Sequence, residues 1–163
     1  MSTIPKRRAI VRQSFPRAIS DRSPIAGASR AIVLRTCFRL GEAINVGHQA
    51  VRTNSNVMIE LYARIASSWD EEPASGKQHF VFGDLYHGKA PQLEGTFERR
   101  GQATFWGKDC NVSLDPDASC TMCRVIGRMK RDTEQKWCLE ISGVWGASWG
   151  DVNWAAGIVN TLA

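Results

Sequence analysis

The chain has 163 residues, 43% of them hydrophobic, with 21 Lys and Arg against 16 Asp and Glu and a formal charge of +5. That size suits one compact domain with enough apolar material for a core. No run of 18 apolar residues occurs, so no membrane-spanning helix is expected, and the start does not read as a classical secretory signal. Five cysteines are too few and odd in number for an all-disulfide scaffold, which predicts a reducing, intracellular setting.

The positive charge is concentrated at the beginning. Residues 1–30 hold Lys6, Arg7, Arg8, Arg12, Arg17, Arg22 and Arg30 against Asp21 alone, a net +6, and everything after them sums to −1. Pro5, Pro16 and Pro24, with scattered Ser and Gly, interrupt any long regular element there. The chain therefore divides into a basic, irregular N-terminal arm over 1–30 and a β-rich domain over 31–163. Ile4, Val11, Phe15 and Ile19 fall near one side of a short helix, but Arg7 and Arg8 lie close to that side, so the arm is poorly amphipathic. A solubilising tail, a nucleic-acid contact and an organellar targeting segment all remain open for it.

The remainder alternates with a period of two. From Ala31 to Leu40, Ile32, Leu34, Thr36, Phe38 and Leu40 share one face while Arg35, Cys37 and Arg39 share the other, as in a half-buried strand. Val57, Ile59, Leu61, Ala63 and Ile65 alternate with Met58, Glu60, Tyr62 and Arg64, and the β-branched content favours a strand again. Trp69–Gly76, with Asp70, Glu71, Glu72 and Pro73, reads as an acidic surface loop. His79–Phe82, with Leu85 and Tyr86 beyond it, predicts a third strand, and Leu93–Phe97, Ala103–Trp106 and Cys110–Leu114 predict further short ones.

Between Cys123 and Gly143 a hairpin is expected about a turn at Arg131–Gln135. Met129 then faces Trp137, Gly127 faces Leu139, Val125 faces Ile141 and Cys123 faces Gly143, which places the large apolar groups on one side. The other side carries Arg124, Arg128, Lys130 and Lys136 with Ile126, Cys138, Glu140 and Ser142 and is mostly basic. Six or more strands with short connections predict an all-β fold, a single antiparallel β-sandwich or barrel.

The motifs that carry chemistry are weak. Cys120 and Cys123 form a C-x2-C pair flanked by Cys110 and Cys138, but no second pair or Cys/His knuckle follows. The hairpin also directs Cys123 inward and Cys138 outward, so no metal and no cofactor is assigned. His48 is placed in a loop, and His79 and His87 flank an apolar segment without a metal-binding repeat. Asp84 between them reads as a turn-capping carboxylate, and a Cys37, His and Asp84 set is the weak enzymatic alternative. No catalytic residue is assigned, and the glycines around Trp145 lack the lysine of a phosphate-cradling loop.

Near the end, Trp145, Trp149 and Trp154 alternate with Gly, Ser, Asp and Asn, and Val159–Leu162 reads as one more strand. Such rings fill a core, or stack on bases or a flat ligand. Taken together, these features predict a non-enzymatic nucleic-acid-binding protein, with a small viral coat or packaging protein as one form and a viral particle or organelle as alternative settings. Lys6, Arg7, Arg8, Arg12 and Arg17 are the mobile phosphate contacts, Arg124, Arg128, Lys130 and Lys136 the fixed ones, and Trp106, Trp145 and Trp149 the stacking rings. The expected partner is a single-stranded nucleic acid or another polyanion, with a homo-oligomer allowed. The alternative is a β domain with an aromatic-lined site for a lipid or small ligand and an N-terminal targeting segment.

Overall fold

The computed structural model describes residues 31–72, 75–98 and 121–161. The arm, the strands expected at Ala103–Trp106 and Cys110–Leu114, and Trp106, Cys110 and Cys120 lie outside the described residues. In chain order the elements are β1 (Val33–Cys37), α1 (Leu40–Arg52), β2 (Val57–Asp70), β3 (Lys77–Gly83), β4 (Leu93–Glu98), β5 (Thr121–Arg131), β6 (Trp137–Gly146) and α2 (Trp149–Thr161).

β2 organises the sheet because one long strand serves three neighbours. Its first residues pair in parallel with β1, residues Ile59–Ile65 pair antiparallel with β5, and residues Arg64–Asp70 pair antiparallel with β3. The order β2-β3-β4-β6-β5 returns to β2, so the sheet closes into a five-stranded barrel with β1 as an extra strand on its outside edge. β4 and β6 run parallel while the other barrel pairs are antiparallel. Counted along the barrel the order is 1-2-3-5-4, the Greek-key connectivity of the oligonucleotide/oligosaccharide-binding (OB) barrel.

The interior follows the predicted alternation. Ile59, Leu61, Ala63 and Ile65 of β2 meet Phe80, Phe82, Leu93, Val125, Leu139 and Ile141 in one core. Closure corrects the sandwich alternative, since β2 has partners on both edges and no second sheet faces the first among the described residues.

The all-β expectation is corrected by two 13-residue helices. In α1, Leu40, Ala43, Ile44 and Gly47 recur at helical spacing and pack on the barrel core. Leu40 is thus the first residue of a helix and not the last of a strand, and His48 is helical. In α2, Ser148 and Asp151 form a reciprocal cap. The Asp151 carboxylate accepts the Ser148 N–H at 2.7 Å, and the Ser148 hydroxyl accepts the Asp151 N–H at 3.3 Å. The N–H and hydroxyl that Ser148 donates to Asp151 hold its carboxyl below the ordinary range. Val159 lies in this helix, so the final strand expected there is replaced by helix.

The hairpin exists with a different register. Asp132–Lys136 forms the turn, Met129 faces Leu139 and Gly127 faces Ile141, then Ser142 is left out of the ladder and Val125 faces Val144. The bulge has a packing cause: it lets Val144 join Val125 in the core and turns Trp145 outward beside Arg124.

Candidate functional site

A second bulge shapes the exterior. Ala66 is left out between the pairs Ile65–Phe82 and Ser67–Val81, so Trp69 emerges opposite His79 on the outer surface. The ladder continues from His79 to Thr96, from Thr96 to Glu140 and from Glu140 to Arg128, giving one cross-barrel row of outward residues. Trp69 and His79 are stacked, with centroids 5.3 Å apart and planes 8° from parallel. His79 Nδ1 lies 3.5 Å from the Thr96 hydroxyl and Nε2 lies 3.5 Å from a Glu71 carboxylate oxygen. Trp69 remains 48% exposed, an aromatic surface held flat on a rigid sheet. The acidic loop is shorter than expected, because Trp69 and Asp70 belong to β2.

The four predicted hairpin cations are not a bare positive track. Arg124 donates to Glu60 at 2.9 Å and lies 5.1 Å over the Trp145 ring. Arg128 donates to the Asn56 side-chain oxygen at 2.6 Å. Lys130 sits 3.3 Å from Glu140, and Lys136 sits 2.9 Å from Glu134 in the turn. Ile126, on the same side of β5, is fully buried. The described residues hold eleven Lys and Arg against twelve Asp and Glu, a net charge of −1, and Glu71, Glu94 and Glu98 surround the β3–β4 surface.

The two described tryptophans of the predicted stacking set are separated. Trp145 lies under Arg124, crossing Gly143 so closely that a Cβ there would overlap its indole. Trp149 packs beside Tyr86 at 5.7 Å, tilted by 58°. Trp145 instead shares a cleft of about 600 Å³ with Tyr62, Trp154, Glu60, Arg124 and Asp151, between α2 and the outside of β2 and β5. Trp154 is 75% exposed at its rim.

The other titratable candidates are structural. Burial favours the neutral acid at Asp84, yet N–H donation from Tyr86 and Leu40, together with Arg39, holds its carboxyl below the usual carboxylate value. Those bonds commit both of its oxygens. Cys37 and Cys123 are core residues whose thiols are pushed up to about 12, chiefly by burial. Cys138 lies on the opposite face from Cys123, so these two share no site.

Trp69 and His79 are the surface pair that sequence reasoning missed. The signal was Trp69 itself, four residues past Ile65, but the one-residue bulge that aims the ring outward leaves no mark in a two-residue repeat.

No protein-family model matches the chain. It is 28% identical over 117 residues to the meiotically up-regulated gene 37 protein of Schizosaccharomyces pombe. The aligned part is 71% of this chain and 48% of that protein, so the chain spans about half the length of the curated relative it matches.

Proposed function

We propose that this protein binds single-stranded nucleic acid across the exterior of β3 and β4, with the basic arm supplying the phosphate attraction. The observation that carries the reading is the exposed Trp69–His79 stack on a barrel of OB connectivity, a fold whose corresponding strand surface serves oligonucleotides and oligosaccharides. The stack adds a local chemical reason, since a base has a π-face whatever its identity.

The charge distribution divides the labour. A body of net −1 with carboxylates around the stack gives no long-range attraction, so Lys6, Arg7, Arg8, Arg12 and Arg17 draw the polyanion in and Trp69 with His79 holds a base. Arg128 and Lys130, at the far end of the same outward rows, contact the backbone once Asn56 and Glu140 release them. Such binding is salt-dependent, prefers single strands and reads little sequence. A titration of the whole chain with single-stranded RNA, single-stranded DNA and duplex at several salt concentrations tests it. Equal, negligible binding to all three rejects the reading.

A second reading, a small-ligand domain, is supported by the aromatic cleft under α2. Its Trp145, Tyr62 and Trp154 walls surround the Glu60–Arg124 pair, an apolar lining with few polar groups of the kind that orients a small molecule. Screening small amphipathic compounds by changes in the indole signals of Trp145 and Trp154 separates this reading from the first.

A further inference from the structure

A different cleft, of about 470 Å³, lies where the second half of α1 meets the turn end of the β5–β6 hairpin. Asn45, His48, Gln49 and Arg52 share one helix face by their spacing, and Arg131 and Trp137, which are cross-strand partners, form the opposing wall. No carboxylate is among the lining residues. Among the described residues neither Arg52 nor Arg131 has an ion-pair partner.

The neighbouring acceptors make other contacts. Asp132, next to Arg131, accepts the backbone N–H groups of Glu134 and Lys136. The last carbonyls of α1 accept from Thr53, Asn54 and Ser55, so Arg52 is not needed to satisfy them. Trp137 organises the wall: the His48 ring stacks on it at 4.0 Å and the Arg131 guanidinium lies 4.5 Å over it. His48 Nε2 is buried and has no hydrogen-bond partner among the described residues.

We infer that this cleft binds a phosphate group. Two guanidinium-bearing side chains, Arg52 and Arg131, and the Asn45 and Gln49 amides line a space without competing carboxylates, and planar guanidinium groups match phosphate oxygens in pairs. The phosphate belongs either to a small phosphoester or to a nucleic-acid backbone. The cleft lies on other elements than the Trp69–His79 stack and is independent of the role proposed for that pair.

The test is calorimetric titration of the full chain with inorganic phosphate, a nucleoside monophosphate and a short single-stranded oligonucleotide. Arg52→Gln and Arg131→Gln are each expected to weaken inorganic phosphate and the monophosphate about tenfold or more. Lys89→Gln, which removes the same charge from an exposed loop elsewhere, leaves them unchanged. Reduced oligonucleotide affinity in the arginine variants assigns the site to the polymer backbone, and an effect restricted to the small phosphates assigns it to a free phosphoester. Wild-type protein that binds neither small phosphate, or arginine variants that bind both as wild type does, overturns the inference. Trp69→Ala keeps the two readings apart, since it lowers oligonucleotide binding and leaves inorganic phosphate untouched.

Discussion

The carboxylate of Asp84, just past β3, accepts the backbone N–H of Leu40, the first residue of α1, at 3.0 Å across 44 positions of sequence. The N-cap residue of that helix, Arg39, makes no side-chain cap, so the cap comes from a distant part of the chain. Arg39 donates its Nε to the same carboxylate at 3.2 Å, and the Tyr86 N–H is donated to the other oxygen at 2.9 Å. One buried side chain thus fixes the start of α1 to the end of β3.

Asp84→Ala is expected to destabilise the fold by about 1–3 kcal/mol, the range for leaving buried donors unpaired. The pH dependence has a definite sign. Because the folded carboxyl titrates below its unfolded value, its contribution is fully present above the ordinary aspartate value of about 4 and is lost as pH falls through the folded value. Denaturant melts of wild type and variant should therefore differ at neutral pH and converge in strong acid. A constant difference at all pH values would contradict this assignment.

Gly47 is where α1 touches β5. A Cβ at this position would lie 2.6 Å from the Met129 Cβ and 2.7 Å from its Cε. The Met129 side chain can swing but its Cβ cannot, so Gly47→Ala should cost about 1–3 kcal/mol despite the better helix propensity of alanine. Thermal unfolding measures it, and an unchanged or raised midpoint would show that the helix shifts freely.

Cys37 and Cys123, with thiols pushed up to about 12, are expected to resist alkylation near pH 8 in the native protein and to react once it is unfolded. Mass spectrometry after a timed iodoacetamide pulse reads this directly. Rapid native labelling of either cysteine would mean that the core opens more readily than its packing implies.

Trp69→Ala should weaken single-stranded binding by about 1–3 kcal/mol while leaving the melting temperature nearly unchanged, because the ring stacks on the surface. Replacing Lys6, Arg7, Arg8, Arg12 and Arg17 by Ser should instead flatten the logarithmic salt dependence, by about 0.7 for each phosphate that is no longer neutralised. Variants that share one phenotype would argue against separate roles for ring and arm.

The period-two pattern of Ile59, Leu61, Ala63 and Ile65 was legible, and so were the strands at His79–Phe82 and Leu93–Phe97, because a face that enters the core must alternate. The sorting of the hairpin was legible near its turn, where the actual register differs from the expected one by an even number of residues and so keeps Met129 and Leu139 on one side. Beyond Ser142 the sorting failed, since one extra residue reverses every later direction. The helices were missed for different reasons. Leu40 continues the two-residue alternation of Leu34, Thr36 and Phe38 and also opens the helical spacing with Ala43, whereas the Ser148–Asp151 cap was written in the sequence and passed over because the tryptophans drew the reading toward stacking rings or sheet packing.

By itself, then, the sequence determined a basic first thirty residues, a nearly neutral remainder and strands with one apolar face, all of which depend on composition and local periodicity. Only the tertiary structure decided that the sheet closes through β2 and β5, that Trp69 meets His79 and that Arg52 and Arg131 converge. Those relations join residues far apart in the chain, and their geometry depends on bulges and packing that have no local signature.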